Sequence, residues 1–215
     1  MKKEENVINY YMLCNSLKDI IRTGWIDWNV ERSRVESIAE HIYGVQQLAI
    51  AMYYQYDYNI DLYKVLVMLA IHETEEIFIG DLTQFQITKE EKNKIGHKAV
   101  HKMFNKIMPA ENLEKLILEM DERKTNEAIF AHQCDKLECD LQAKIYGEED
   151  CVDLNNQDNN ESSRDPRIKG LLDTGMSFGE MWLTFGENIY NYDENFMNVS
   201  LYAKQNKIIK FRFTK

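Results

Sequence analysis

Glycine and proline are scarce: the 215 residues include 9 of the first and 2 of the second. A fold of many short strands needs frequent turn residues, so this scarcity excludes it and leaves helices as the default. Cysteine is sparse too, and Cys14, Cys134, Cys139 and Cys151 show no Cys-x-x-Cys spacing. Neither a disulfide framework nor a zinc knuckle is expected, and the thiols read as small buried side chains. No apolar run approaches the roughly 18 to 20 residues that span a bilayer, the longest being 65–71. Met1-Lys2-Lys3 leads into no uninterrupted apolar stretch and no small-residue cleavage site, so a cytoplasmic location without membrane association is expected. Positive charge is in deficit, with 26 Lys and Arg against 36 Asp and Glu and a net charge of −10. That balance argues against nucleic acid as a partner, because affinity for the phosphate backbone comes from dense basic side chains. A small phosphorylated substrate is still admissible if a divalent cation and one or two arginines offset the repulsion locally.

What is present is material for a core. Hydrophobic residues make up 44% of the chain, with 9 Phe, 12 Tyr and 3 Trp, enough for one globular domain at this length. Ile8, Tyr11, Met12, Leu17, Ile20 and Ile21 suit one amphipathic helix over 7–22. The segment 23–34 breaks that pattern. A second helix over about 35–58 places Ile38, His41, Val45, Leu48, Ala49 and Met52 on a common face. Asp61 reads as the N-cap of a strongly apolar third helix reaching about Phe78 and ending at Gly80-Asp81. Thr88 and Glu91 form a capping-box pattern for a helix over 88–108, and Pro109 suits the first position of the next, over 110–122. A sixth helix over 125–146 aligns Ala128, Ala131, Asp135 and Cys139.

Residues 148–165 are acidic and Asn-rich with almost nothing to bury, which predicts a long mobile loop between a helical core, 1–147, and a C-terminal part, 166–215, packing on it. That part carries a helix over 168–189, interrupted near Gly175. In the tail, 200–214, Ile209, Phe211 and Phe213 alternate with Lys210 and Arg212 as in a strand. The expected class is thus all-α in a single domain, a helical bundle with at most a short C-terminal β-strand or hairpin. No internal repeat is visible.

Three helix-borne clusters carry chemistry: Glu40-His41, His72-Glu73-Thr74-Glu75-Glu76, and Asp135-Lys136-Leu137-Glu138. Each sets a metal-capable side chain on an otherwise apolar stripe, and facing helices of a bundle can aim such ligands at one point. Alone, a core-facing His is usually a hydrogen-bonded structural residue, and Glu73 and Glu75 could be a solvated helix end. A buried carboxylate such as Asp135 needs a partner, and the joint occurrence of the clusters favours a metal site. Imidazole with carboxylate suits Mn, Fe, Co, Ni or Zn better than calcium. A zinc-protease motif is excluded because Glu76 stands where its second His would be. His97 and His101 also lie at i, i+4, but Lys94, Lys98 and Lys102 around them indicate a solvated face.

Four blocks resemble the HD-domain phosphohydrolases, in the group similar to the 5′-deoxynucleotidases. They are Leu17-Lys18 through Arg22-Thr23-Gly24-Trp25, Glu36 to His41, His72 to Thr83, and Glu127 to Ala143, in the family's order along the chain. The resemblance implies an HD-type bundle with one divalent ion, Mn, Co, Zn, Fe, Ni or Mg, held by His41, His72, Glu73 and Asp135. It implies that Glu76 activates the attacking water, that Asp81 is a second acid near the leaving group, that Arg22 holds phosphate, and that Trp25 lies where the sugar is contacted. Glu73 departs from the pattern, being one methylene longer than the Asp expected there. The implied activity is hydrolysis of a phosphate monoester, a nucleoside or deoxynucleoside 5′-monophosphate, to nucleoside and phosphate, in a homodimeric enzyme. The alternatives are a phosphodiester or alarmone substrate, or a non-catalytic protein that binds metal or nucleotide.

Overall fold

The structure, a computed structural model, describes residues 2–106 and 110–209. Among these residues every regular element is helical apart from one isolated antiparallel bridge, Ile21 with Ser37, so the all-α class is as expected. By its contacts the chain divides into two compact units, Met1–Thr23 with Glu36–His132, and Gly24–Val35 with Gln133–Lys215.

The first unit opens with α1 (Lys3–Asn15), followed by a 3₁₀ turn, Ser16–Lys18, that buries Leu17. The single helix expected over 7–22 is therefore corrected. Ser16 turns its hydroxyl back onto the Leu13 carbonyl at 2.6 Å, and residues 20–22 are drawn out straight. There the Ile38 N–H donates to the Ile20 carbonyl at 2.9 Å and the Arg22 N–H to that of Glu36 at 3.0 Å. Backbone pairing thus overrides helical periodicity, and the stripe of Ile8, Tyr11 and Met12 stays 59%, 57% and 55% exposed.

That extended segment sets Arg22 beside the start of α3 (Ile38–Gln55). Ser37 caps α3 reciprocally with Glu40, whose carboxylate accepts from the Ser37 N–H at 2.9 Å. Glu40 is thereby committed to the cap, while Ile38, His41, Val45, Ala49 and Met52 form the buried face. The apolar α4 (Leu62–Ile71), capped by Asp61, packs on α3 and on α7 (Glu111–Glu122). The short α5 (Glu76–Ile79) packs against α6 (Lys89–Lys106), which starts at the expected Thr88–Glu91 box. Ile71, Val100, Met103, Phe104 and Ile117 form a core cluster that Tyr10, Leu13 and Leu116 flank. Truncating the fully buried Phe104 should cost about 3 to 5 kcal/mol. Pro109 and its expected N1 role lie outside the described residues.

The second unit begins in the short α2 (Thr23–Asp27) and takes up α8 (Asn126–Glu148) from Gln133 onward. Trp28 is fully buried, 5.1 Å from the Phe178 ring and 6.1 Å from that of Trp182. The expectation that residues 148–165 bury almost nothing is corrected, since Gln157, Asn160 and Ser162 are buried. Their amides do what apolar side chains would do elsewhere. Gln157 Nε2 donates to the Trp28 carbonyl at 3.1 Å, Asn160 Nδ2 donates to Gln157 Oε1 at 2.8 Å, and Asn160 Oδ1 caps α9 (Glu161–Arg164). The helix expected over 168–189 is present as α10 (Pro166–Leu172) and α11 (Phe178–Ile189), broken at Gly175 with φ +84°.

A further helix, α12 (Glu194–Gln205), starts at Asp193, whose carboxylate caps it, and buries Phe196, Ser200 and Ala203. It corrects the strand-like reading of the tail as far as residue 205; the alternating residues Lys210 to Phe213 lie outside the described ones. The four cysteines are free, and only Cys134 is buried. No helix among the described residues is long and apolar enough to cross a membrane.

Candidate metal centre

The first unit gathers Arg22, His41, His72, Glu73, Glu76 and Asp81. Its central device is a break in the helix expected over 61–78. At His72 the α4 geometry gives way to turns, with the Thr74 N–H on the Ile71 carbonyl and the Glu76 N–H on that of Glu73, both at 3.1 Å. Glu73, Thr74, Glu75 and Glu76 are all buried. A regular helix would turn at least one of four successive side chains away from the core, and the tightened turns remove that constraint. Gly80, with φ +75°, then ends α5 in a conformation that glycine adopts most readily and delivers Asp81.

Glu73 Oε1 is the hub. It lies 3.5 Å from His72 Nε2, 3.7 Å from His41 Nε2 and 3.3 Å from Arg22 Nη1. The two imidazole rings are 5.5 Å apart. His72 Nδ1 sits 2.7 Å from the Leu69 carbonyl, to which it donates, and this contact orients the ring so that Nε2 faces the hub. One ligand atom from each of His41, His72 and Glu73 falls within 4.8 Å of the others. Two atoms bound to a common ion at about 2.1 Å each stand roughly 3.0 to 3.4 Å apart, close to the observed spacing. The donor set therefore fits a divalent transition metal, and the extra methylene of Glu73 does not prevent its oxygen from reaching both rings.

Around the hub, Asp81 Oδ2 accepts from the Thr23 N–H at 2.6 Å and lies 3.9 Å from Arg22 Nε. Glu76 is 1% exposed, and Lys92 Nζ donates to its Oε1 at 2.8 Å. Burial lifts the Glu76 carboxyl well above the usual carboxylate range and Glu73 adds to this, while Lys92 opposes it. Burial likewise pushes Glu75 up to about 8 against the pull of Lys92. For Lys92, burial disfavours the ammonium, but Glu73, Glu76 and Glu75 outweigh it and hold the group above the ordinary lysine value.

Lys92 and Glu75 are additions to the residues expected from sequence. A signal for Lys92 exists: it precedes Gly96 and Val100, both buried, at four-residue steps and so shares the inward face of α6. A Cβ on Gly96 would run into Glu75 Oε2, so the missing side chain there makes the room that the Glu75 carboxyl fills. His97 and His101 reach separate acids, Asp121 at 2.5 Å and Glu114 at 2.8 Å, so they serve α6 and α7 rather than one ion.

Two expected residues belong to the second unit. Asp135 is 6% exposed on α8 with Lys136 Nζ 2.9 Å from its Oδ2. Trp25 is 5% exposed and packs edge-on to Tyr146 at 5.3 Å.

A protein-family model for the HD domain matches residues 14–171. The chain is similar to 5′-deoxynucleotidase HDDC2 of Dictyostelium discoideum, 31% identical over 149 residues that cover 66% of this chain and 77% of that one. It is similar to 5′-deoxynucleotidase hdd1 of Schizosaccharomyces pombe, 28% identical over 160 residues that cover 69% and 78%. A crystal structure of a protein from Pyrococcus horikoshii OT3 matches with a TM-score of 0.59 at 22% identity, over 92% of this chain and 98% of the other, a likeness of fold.

Proposed function

We propose, from the premise that this chain belongs to the HD-domain family, that it is a metal-dependent phosphohydrolase converting deoxynucleoside 5′-monophosphates to nucleoside and phosphate. One observation carries the reading: Glu73 Oε1 faces both His41 Nε2 and His72 Nε2, at 3.7 and 3.5 Å, with Arg22 beside it at 3.3 Å. An anionic oxygen set beside two imidazole nitrogens and a guanidinium suits the gripping of a cation next to a phosphate. In this reading His41, His72 and Glu73 are joined as ligands by Asp135, the metal-capable carboxylate of the second unit.

When bound, the divalent ion supplies Lewis acidity, neutralising phosphate charge and lowering the pKa of water. Glu76 takes the proton of the attacking water as its oxygen bonds to phosphorus. The bond from phosphorus to the 5′-oxygen breaks, and Asp81 gives that oxygen a proton. Because Asp81 Oδ2 accepts from Thr23, Oδ1 is the atom that serves the leaving group. Arg22 neutralises non-bridging oxygens, and Trp25 borders the sugar. The name of the relatives, 5′-deoxynucleotidase, supports the substrate class. We further propose that it acts in the cytoplasm and, as the family resemblance implies, as a homodimer.

A panel of ribo- and deoxynucleoside 5′-monophosphates, a phosphodiester and an alarmone, each with added Mn, Co, Mg or Zn, tests this. Phosphate release from the deoxynucleoside monophosphates is expected. Turnover confined to the diester or alarmone, or absent with every metal, would overturn it.

A further inference from the structure

The Glu76 carboxylate is held asymmetrically. Its Oε1 accepts from Lys92 Nζ at 2.8 Å, whereas its Oε2, equally buried, has no hydrogen-bond partner among the described residues. A buried carboxylate oxygen without a donor is costly, so a residue serving stability alone would be expected to satisfy both oxygens. Lys92 itself is a half-buried cation whose stem lies on the inward face of α6, one turn before Gly96. Burying an ion pair that leaves one oxygen bare gains little over an apolar pair of similar volume. What the arrangement does provide is orientation. Of the two carboxylate oxygens, one is tied to a helix whose start is fixed by the Thr88–Glu91 box, and the other is kept for something outside the protein.

We propose that Lys92 is a positioning residue for Glu76: its ammonium fixes Oε1 and so presents Oε2 to the water that attacks phosphorus. This rests on the reading of Glu76 as the base, and goes beyond it by assigning which oxygen acts and what aims it. In this reading Lys92 acts through its bond to Glu76 and not on substrate or metal directly. Its loss therefore slows the chemical step while leaving metal content and substrate binding in place.

The test compares Lys92→Met, Lys92→Arg, Glu76→Gln and the Lys92→Met/Glu76→Gln double variant in the metal-loaded protein. Metal content, melting temperature, kcat and KM on a deoxynucleoside 5′-monophosphate are measured for each. Lys92→Met should lower kcat by about 10- to 100-fold, part of the roughly 10²- to 10⁴-fold that a positioned base contributes, with KM and metal content near wild type. Lys92→Arg, which can still donate to Oε1, should recover much of the loss. In the Glu76→Gln background Lys92→Met should add little, because the two residues act as one unit. Wild-type kcat in Lys92→Met, or an equal loss with and without Glu76, would overturn the proposal while leaving Glu76 as base. Wild-type turnover by Glu76→Gln would instead remove the reading of the base itself. If Lys92→Met does not fold, Lys92→Arg decides: its full activity with metal retained supports the proposal, and activity as low as that of Glu76→Gln refutes it.

Discussion

Glu76 in the first unit and Asp140 in the second are both 1% exposed, and both are lifted well above the usual carboxylate range, chiefly by burial. They are kept in opposite ways. Asp140 Oδ2 accepts from the Tyr192 hydroxyl at 3.0 Å, in a gap left by Gly186, where an added Cβ would run into that oxygen. Burial is the largest influence on Asp140; the Tyr192 hydrogen bond and Lys136 oppose that influence and Glu187 and Asp135 add to it, the setting of an acid that is stored protonated. Glu76 has a lysine on one oxygen, an unsatisfied second oxygen, and Glu73 nearby. Equal burial therefore does not mean equal purpose. The informative feature is whether the buried oxygen has a donor beside it, as Asp140 Oδ2 does, or has none among the described residues, as with Glu76 Oε2.

Substitution by the neutral isostere should separate the two most sharply. Glu76→Gln should lower kcat by about 10²- to 10⁴-fold in a folded, metal-loaded protein, whereas Asp140→Asn should leave kcat within a factor of about two. Similar kcat losses for both would erase the distinction. Filling the gap beside Asp140 comes next. Gly186→Ala should destabilise the protein by about 1 to 3 kcal/mol in urea unfolding, since neither the short Asp140 side chain nor the Tyr192 hydroxyl can easily move aside.

Protonation gives a third contrast. A carboxyl raised on folding binds a proton that the unfolded chain sheds above about pH 3.9. Its contribution to stability is complete below that unfolded value and is lost as pH rises through the folded one. Stability measured at rising pH should therefore fall less steeply in Asp140→Asn than in wild type. Identical slopes would show that Asp140 is not held protonated. The smallest effect belongs to Gly96. Gly96→Ala alone displaces the flexible end of Glu75, so helix propensity and lost space largely offset each other. Combined with Glu75→Ala, which empties that space, the same change should stabilise by about 1 kcal/mol relative to Glu75→Ala alone.

Local rules made much of the fold legible. The caps at Asp61 and at Thr88 with Glu91, the inward face of α3 through His41, and the interruption at Gly175 all depend on neighbours within a turn or two. What periodicity missed was set by distant partners. Residues 20–22 leave the helix to pair with 36–38, and residues 148–165 bury amides rather than hydrocarbon. The Asp193 cap of α12 was present in the sequence but outweighed by the alternation further on. At the candidate centre, periodicity put His41 inside and the family resemblance named its companions. Neither indicated the break at His72, which depends on four successive side chains turning inward, nor Lys92, whose charge on α6 looks like one more solvated lysine until its stripe is traced.

The central claim is that the cluster around Glu73 holds a metal ion. Equilibrium dialysis against Mn or Co, followed by elemental analysis of wild type, His41→Ala, His72→Ala and Glu73→Ala, tests it without reference to any substrate. Wild type should retain about one ion per chain and each variant should lose at least 10-fold in affinity, since ligands matter no less than the groups that orient them. Equal metal content in all four proteins would contradict the account.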